Sequence, residues 1–389
     1  MSVLGVYNPF DIEIDHGDGV YLYSSQGTRY LDFTSGIGVT CLGHSHPALV
    51  NAIKDQAEKV WHCSNIFKIK GQQNVANKLA SNSFASNVFF CNSGSEATET
   101  SIKVARKYFF EKGLKEKNRI ITFEGAFHGR TIASLFAANN PSHIEGFGPK
   151  VDGFDQVPFG DHDALVGSIN EKTAAIMVET IFGEGGIRVV PNECLQGLRK
   201  LCDEKNILLI LDEVQCGLGR TGKLFAFEWA KIKPDIVPIA KGIGGGFPIG
   251  ACLLNKKTAS VMKPGSHGST FGGNPLAMSV ASVVLDYVMN KDFLKNIIEI
   301  SKYLRTKLDQ EIIKKFPHLI IGLRGKGLML GLEAKVSNEI LIKEMIKEKL
   351  LTVKASQNII RILPPLILEK KHVDEAITKM IKAFKNIQL

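Results

Sequence analysis

A lysine before a run of glycines is the most reactive position that the sequence offers. Lys241 follows an apolar stretch typical of a strand, and glycines fill most of 242–246. Burial and neighbouring charge lower the pKa of a lysine, which suits Schiff-base chemistry with a carbonyl group. The glycines let the backbone approach a ligand closely. A nicotinamide-binding loop is not supported, because Phe247 stands in place of the last glycine of G-x-G-x-x-G and no acidic residue follows about 20 positions on.

A carboxylate at the end of another apolar strand is the second candidate. Asp212 closes the run 208–212, and burying such a charge is costly unless something compensates it. The protonated nitrogen of a pyridine ring would do so, and the carboxylate would keep the ring protonated and a better electron sink. Three alternatives remain: a metal-binding pair with Glu213, a carboxylate that caps the next turn, and a Walker B motif. The last is weakened because no G-x-x-x-x-G-K-[ST] loop accompanies it.

Two loops next to predicted strands could hold other parts of such a ligand. Gly94 and Ser95 open a helix directly after a strand, and amide groups at a helix N-terminus favour phosphate. An ordinary capped helix start explains the same residues equally well. Phe127 could lie on an aromatic ring while Arg130 binds a carboxylate. Taken alone, the loop that carries Phe127 and Arg130 is better explained as a turn with a surface arginine.

A third loop carries Ser269 and Thr270 among glycines, just before a helix. Its hydroxyls could bind phosphate or a substrate carboxylate, or the loop could simply cap the helix. Each motif is weak or moderate alone, but their order along the chain is informative. Together they supply a phosphate site, a stacking ring, a partner for a pyridine nitrogen and a Schiff-base lysine. That set is a complete site for pyridoxal 5′-phosphate (PLP).

Alternating strands and helices position these loops. Between residues 66 and 285 short apolar strands alternate with amphipathic helices, which predicts an α/β fold with a mostly parallel sheet covered on both faces. In such sheets ligands bind at the carboxyl ends of the strands. The predicted strands are 88–91, 119–123, 174–179, 208–212, 236–240 and 249–254, and the predicted helices are 47–60, 95–112, 192–205 and 274–290.

The last hundred residues have a different pattern. Lysine-rich helices predicted at 293–315, 337–349 and 371–387 frame strands at 327–334 and 359–363, which indicates a smaller α+β domain. A hairpin predicted at 18–33 would add to it. We therefore expect an N-terminal segment, 1–50, that packs with the small domain, a large domain, 51–285, and a small C-terminal domain, 286–389.

Composition excludes several classes of protein. The net charge of +9 arises within 291–389, where 20 basic residues face 11 acidic ones on helical patterns, so solvated helix faces explain it better than a nucleic-acid site. Seven cysteines without C-x-x-C indicate reduced thiols, and the His44-Ser45-His46 stretch is better explained as a turn than as a metal site. Without a signal segment or an apolar run of membrane length, the expected protein is cytoplasmic, with no membrane or metal partner.

The motifs resemble those of class III (subgroup II) PLP-dependent aminotransferases, specifically the acetylornithine/succinylornithine aminotransferase branch. The likeness covers nearly the whole chain and is most specific from Asp212 to Gly250. Further matching stretches lie at 35–39, 42–47, 183–186, 219–222 and 360–365. The resemblance implies the PLP fold-type I architecture, with a mostly parallel central sheet in a large domain plus a smaller α+β domain. It also implies a homodimer with active sites at the interface.

The resemblance implies a role for each matching residue. Lys241 would carry PLP as a Schiff base and shuttle protons, and Asp212 would pair with the pyridine nitrogen. The other cofactor contacts would be Gly94 and Ser95 at the phosphate, Phe127 and Val214 on the ring faces, Gln215 at the phenolic oxygen, and Thr270 at the phosphate of the neighbouring subunit's cofactor. Glu179 would lie near the ring.

Four residues would serve the substrates. Arg130 and Ser269 would contact the amino acid, while Glu184 would mask Arg361 when the donor is bound and release it for the acceptor. The implied reaction is ping-pong transfer of the terminal amino group of N-acetylornithine to 2-oxoglutarate, giving N-acetylglutamate 5-semialdehyde and glutamate in arginine biosynthesis. Alternative donors are N-succinyldiaminopimelate, ornithine, succinylornithine and 4-aminobutyrate.

Other functions on the same scaffold remain open. A PLP-dependent aminomutase or racemase would use the same cofactor residues but would need no added 2-oxo acid. A protein that only binds PLP is disfavoured because Lys241 and Asp212 are both present. Two departures from the family pattern concern the substrate: Phe182 occupies a position where glutamine is frequent, which should make that edge of the pocket less polar, and Lys68 stands where an aromatic residue is frequent.

Overall fold

The computed structural model describes residues 2–387. Its strands are β1 Ile14–Asp18, β2 Tyr21–Ser24, β3 Arg29–Asp32, β4 Asn87–Cys91, β5 Arg119–Phe123, β6 Phe154–Val157, β7 Thr173–Glu179, β8 Ile181–Phe182, β9 Arg188–Val189, β10 Leu208–Asp212, β11 Ile236–Ile239, β12 Gly250–Leu254, β13 Ile320–Lys326, β14 Met329–Ala334, β15 Leu350–Leu351, β16 Val353–Ala355 and β17 Ile359–Ile362. Its α-helices are α1 Ser35–Gly38, α2 Pro47–Ala57, α3 Lys70–Ser81, α4 Gly94–Glu111, α5 Ile132–Ala138, α6 Pro141–Ile144, α7 His162–Ser168, α8 Asn192–Glu204, α9 Lys256–Ala259, α10 Pro275–Val288, α11 Lys291–Lys307, α12 Asn338–Lys347 and α13 Lys370–Lys385.

A seven-stranded sheet forms the centre of the molecule. Its strand order is β4-β12-β11-β10-β7-β5-β6, and β12 runs antiparallel to both of its neighbours while the other pairs are parallel. Every residue of β7, β10, β11 and β12 is buried, as expected for strands covered on both faces. The predicted mostly parallel sheet is confirmed, and β6 is a strand that the sequence analysis did not identify.

Alternate residues of each central strand face opposite layers of helices. In β10, Leu209 and Leu211 belong to the same apolar cluster as α8, whereas Leu208 and Ile210 belong to the cluster that includes α4. This period of two is the geometry of a pleated strand with both faces covered. The sheet therefore holds the loops at its strand ends on a rigid, fully packed base.

The C-terminal region forms a second sheet with the order β13-β14-β17-β16, in which all pairs are antiparallel. Helices α11, α12 and α13 pack together beside it. The α+β pattern predicted for this region is confirmed, but its first strand, β13, was missed. The helix predicted at 293–315 is α11 continued by a π-helical segment, Leu308–Ile313.

The N-terminal strands pair with the C-terminal region. The structure extends the predicted hairpin to three antiparallel strands, β1-β2-β3, and β15 joins this sheet in parallel with β3. This pairing joins the N-terminal strands to the C-terminal region. The domain boundaries at 50 and 285 stay predictions. Among residues 2–387, none of the helices has the length and apolar character needed to cross a membrane.

Candidate active site

A cavity of about 490 Å³ opens where β10 and β11 end and α4 begins. Strand ends at one edge of a mostly parallel sheet converge on this point, which is where such sheets bind ligands. Ten of the residues singled out from the sequence line it: Gly94, Ser95, Phe127, Glu179, Glu184, Asp212, Val214, Gln215, Lys241 and Arg361. Motifs from six separate parts of the chain thus form one site.

Lys241 follows the end of β11 after one intervening residue, at the start of a short 3₁₀ turn that ends at Gly244. Its backbone is in the left-handed region, with φ of 48°, a conformation that costs energy for a residue with a Cβ and is often found at functional sites. Burial and, secondarily, the charge of Arg361 lower the pKa of Lys241 to about 8. Far more of this amine is therefore neutral near physiological pH than in an ordinary lysine, and the neutral form is the one that attacks a carbonyl carbon.

Asp212 has a buried histidine as a partner. His128 Nδ1 lies 2.8 Å from one carboxylate oxygen of Asp212, and the Val214 amide donates to the other at 3.0 Å. Burial alone would lower the pKa of His128, but the hydrogen bond and charge of Asp212, together with Glu179, raise it above the ordinary value. His128 Nε2 is buried and has no partner among residues 2–387. No role for His128 was predicted from the sequence, although it lies between Phe127 and Arg130.

The start of α4 has free amide groups that could bind an anion. Ser93 caps the helix by accepting from the Glu96 amide at 3.2 Å, so the earlier amides of Gly94 and Ser95 are left facing the cavity without intrahelical partners. Gly129 lies against this site with φ of 135°, and a Cβ at that position would overlap the Ser95 hydroxyl. Only glycine allows the loop to approach the helix start this closely.

Glu179 ties two loops of the site together. Its two carboxylate oxygens accept from the amides of Phe127, at 2.8 Å, and Gly183, at 3.1 Å. Burial raises the pKa of Glu179 to about 7. The contact with Glu179 holds the backbone of Phe127 at the edge of the cavity, which Val214 also lines.

Glu184 and Arg361 form an ion pair in the cavity wall. Glu184 lies in the turn of the β8–β9 hairpin, and its carboxylate is 2.9 Å from Arg361 Nη2 on β17. Arg361 is 3% exposed, and its Nε donates to the Lys354 carbonyl at 3.1 Å. Its Nη1 has no hydrogen-bond partner in the described part of the chain. A buried arginine that lies beside a cavity and has an unpaired N–H donor can bind a second carboxylate.

Three predicted site residues lie outside this cavity. Arg130 is exposed at its mouth, with the guanidinium carbon 5.6 Å from the centre of the Phe127 ring. Ser269 and Thr270 line a separate cavity of about 350 Å³, where the Ser269 hydroxyl accepts from the Asn92 side chain at 3.1 Å. A single chain therefore does not bring Ser269 or Thr270 together with Lys241.

The expected effect of Phe182 on pocket polarity is wrong. Phe182 is fully buried, with its ring 4.6 Å from that of Phe159 and 4.9 Å from the guanidinium of Arg188, and it does not line the cavity. Packing against these two side chains turns it into the core beneath the hairpin. Lys68 is exposed and lines another surface cavity, so neither departure changes the Lys241 pocket of one chain.

These residues fit PLP. The amides at the start of α4 can donate to a phosphate, and Phe127 and Val214 offer apolar surfaces to a flat ring in the same cavity. Asp212 can accept from a pyridine N–H, since a carboxylate has about four lone-pair sites and only two partners hold it here. Gln215 Oε1 is buried and unpaired among residues 2–387, so its amide is free to meet a polar ring substituent.

The fold and the cavity together define a PLP-dependent enzyme of fold-type I. The family model described as aminotransferase class-III matches residues 5–384, and the chain belongs to this family. It is 52% identical to the acetylornithine aminotransferase of Agrobacterium fabrum over 95% of this chain and 92% of that protein. The N-acetylornithine aminotransferase of Stenotrophomonas maltophilia is 35% identical, with a TM-score of 0.85 over 97% of this chain and 96% of that one. The ornithine aminotransferase of Toxoplasma gondii is 30% identical, with a TM-score of 0.94 over 99% of this chain and 92% of that one.

Proposed function

We propose that this aminotransferase moves the terminal amino group of N-acetylornithine to 2-oxoglutarate, giving N-acetylglutamate 5-semialdehyde and glutamate, as a step of arginine biosynthesis. The likeness to acetylornithine aminotransferases over almost the full chain supports this donor. The cofactor supplies an electron sink that stabilises the carbanion formed at the reacting carbon. All seven cysteines are free thiols, which agrees with a reducing compartment, and we place the reaction in the cytoplasm.

Lys241 is the proposed catalytic base and acid. Lys241 lines the same cavity as Asp212 and the Glu184–Arg361 pair, and with a pKa of about 8 its amine can both accept and return a proton near neutral pH. Asp212, held by His128 and the Val214 amide, would keep the ring nitrogen protonated. The amides of Gly94 and Ser95 would hold the phosphate end of the cofactor.

The main support for the proposal is that two arginines lie at different depths of the active site. Arg361 lies inside the cavity and is covered by Glu184, whereas Arg130 lies at the mouth beside Phe127. A donor that reacts through its terminal amine has its carboxylate far from the ring and would meet Arg130. 2-Oxoglutarate reacts next to its own carboxylate and would need Arg361, so Glu184 must then move aside.

The Glu184–Arg361 pair predicts opposite effects on the two half-reactions. Glu184→Ala should expose Arg361 and let glutamate, an α-amino donor, react faster in the first half-reaction. Arg361→Gln should slow the 2-oxoglutarate half-reaction roughly a hundredfold, the effect of losing a hydrogen-bonded contact to a charged group, and slow the donor half-reaction much less. Single-turnover absorbance measurements of each half-reaction would show this.

A nearby exposed ion pair provides the control. Glu339→Ala breaks the contact with Lys354, which lies on the strand next to Arg361, and should leave both half-reactions unchanged because the pair is solvated. A permanent structural bridge between Glu184 and Arg361 would instead make both variants affect both halves equally. That result would contradict the switch.

A donor panel with purified protein and 2-oxoglutarate tests the proposed substrate. N-Acetylornithine should have the highest kcat/KM, above ornithine, succinylornithine, N-succinyldiaminopimelate and 4-aminobutyrate. A higher value for any of these would replace N-acetylornithine as the donor. Product formed without an added 2-oxo acid would indicate an aminomutase or racemase instead.

We also propose that two chains form a homodimer in which Thr270 completes the partner's site. An apolar surface supports this: Trp61, Phe67 and Phe271 are 64%, 63% and 58% exposed and lie around the loop that carries Thr270. Asn65 joins these segments by donating to two carbonyls of the 269–272 loop, each at 3.0 Å. Exposed aromatic side chains of this kind are typical of protein–protein interfaces.

Hybrid dimers would test the shared site. Thr270→Val should weaken cofactor binding and Lys241→Ala should be inactive, each as a homodimer. A hybrid of the two variants has one site with both native residues, so it should regain about half of the wild-type activity, as the symmetry of a two-site dimer requires. Differently tagged, co-expressed chains allow its purification. Activity no higher than that of the Thr270→Val homodimer would mean that Thr270 serves its own chain.

A further inference from the structure

The mouth of the site holds a histidine with no assigned role. His143, on the short helix α6, has its Nε2 at 3.2 Å from Nη2 of Arg130, and its ring meets the edge of the Phe127 ring with centroids 6.2 Å apart. It also lines a second, polar cavity of about 560 Å³ that shares Glu184 with the first. His143 thus stands where a donor's outer end would lie.

The contact with Arg130 determines the protonation state of His143. A guanidinium only donates hydrogen bonds, so His143 Nε2 must accept and the imidazole must be neutral, with its proton on Nδ1. Burial, and then the charge of Arg130, lower the pKa of His143 below its ordinary value of 6.5, while Glu184 opposes this shift. Lys354 and Glu339, which also line the second cavity, form an ion pair with each other.

Arg130 needs such a partner because it is exposed. A free arginine side chain has about 2 kcal/mol of rotamer entropy, and part of this is lost when the side chain becomes ordered on binding a ligand. The Phe127 ring supports one side of the guanidinium, and His143 holds one of its nitrogens. The helix of His143 is itself fixed, because Asn140 caps it by accepting from the Ser142 amide at 3.1 Å.

We propose that His143 is a positioning residue that holds Arg130 in place to bind the carboxylate of the donor, and that it does so only as the neutral imidazole. The inference rests on the proposed function, in which Arg130 contacts the donor. Protonation of His143 would remove its acceptor and place a second positive charge beside the guanidinium. Arg130 would then leave the position in which it meets the donor.

Two variants and two donors test this inference. His143→Phe keeps a ring against Phe127 but removes the acceptor, whereas His143→Gln keeps an acceptor oxygen. The donors are N-acetylornithine and N-acetylputrescine, which differ only in the carboxylate. His143→Phe should raise the KM for N-acetylornithine about tenfold, the effect of one hydrogen bond to a charged group, without changing kcat. The glutamine variant should behave like the wild type, and N-acetylputrescine should not distinguish the three proteins.

The pH profile and an Arg130 background complete the test. In the wild type, the KM for N-acetylornithine should rise as the pH falls through the lowered pKa of His143, because the imidazole becomes protonated, and His143→Gln should lack this rise. In an Arg130→Ala background, His143→Phe should have no further effect on KM. An unchanged KM in His143→Phe, or an equal rise for both donors, would overturn the inference.

A wrong donor assignment can be distinguished from a wrong role for His143. If the wild type does not use N-acetylornithine, the donor assignment is wrong. The same comparison is then made with the ω-amino acid that the donor panel identifies and with its amine analogue, so the role of His143 is tested in either case.

Discussion

Lys241→Ala is expected to abolish turnover and to remove the visible absorbance of the covalently attached cofactor. Lys241 is the only lysine that lines the cavity among the residues that the structure describes, so no second amine is placed to replace it. Removing a group that both attaches the cofactor and transfers protons should cost on the order of 10⁴-fold or more in kcat. The absorbance spectrum of the purified protein with added PLP and its steady-state rate would measure both effects.

An exposed lysine on the next helix is the control for this experiment. Lys256→Ala, at the start of α9, removes the same atoms from the surface and should leave both the spectrum and kcat unchanged. A thermal melt would show that the Lys241 variant is folded; losing a buried amine with a lowered pKa should not destabilise it strongly. Normal activity in Lys241→Ala would disprove its proposed catalytic role.

The position of this lysine could be predicted from the sequence because local patterns define strand ends. The apolar runs that end at Asp212 and just before Lys241 are continuous, as expected for buried parallel strands, and each is followed by a turn. Parallel neighbours bring their carboxyl ends to one edge. β10 and β11 are such neighbours, so two residues separated by 28 intervening positions come to line one cavity.

Pairings between distant segments could not be predicted in the same way. β15 joins the N-terminal sheet over more than 300 residues of sequence, and nothing in the short run Leu350–Leu351 indicates its partner. β13 was missed because glycine and charged residues interrupt its apolar pattern, and it is only partly buried. Strands that pair late in the chain are specified by the assembled surface, not by local periodicity.

Side-chain contacts within the site could not be predicted from the sequence either. His128 lies between Phe127 and Arg130, which were singled out from the sequence, yet its contact with Asp212 depends on how the loop after β5 folds over the end of β10. His143 is a lone histidine in sequence and acquires meaning only from its contact with Arg130. Phe182 was misjudged for a related reason: the β8–β9 hairpin directs it to Phe159 and Arg188 instead of the cavity.

Asp212→Asn should leave the cofactor attached to Lys241 but lower kcat by about 10³-fold or more, equal to roughly 4 kcal/mol of transition-state stabilisation. The reason is electrostatic. A carboxylate favours the protonated ring nitrogen, and a neutral amide does not, so the ring withdraws electrons less strongly while the carbanion forms. The lysine and the phosphate site are unchanged, which is why attachment should persist.

The contacts of Asp212 make this variant unusually informative. Asn at 212 can still accept from the Val214 amide through its oxygen, so the turn after β10 should keep its shape. Its NH₂ group would then face His128 Nδ1. That nitrogen now shares a hydrogen bond with a carboxylate, and in the variant it would have to accept a hydrogen bond from the amide. His128 therefore loses the negative partner that raises its pKa, and both groups near the ring nitrogen become neutral.

Asp235→Asn is the matched control, because Asp235 is equally buried but pairs with Arg199 and Lys257 away from the cavity. It should lower the free energy of unfolding while kcat per folded enzyme stays normal. The two variants together separate the loss of a buried charge from the loss of this particular charge. Near-normal kcat in Asp212→Asn, with the cofactor bound, would mean that ring protonation does not depend on Asp212 and that the site works through another group.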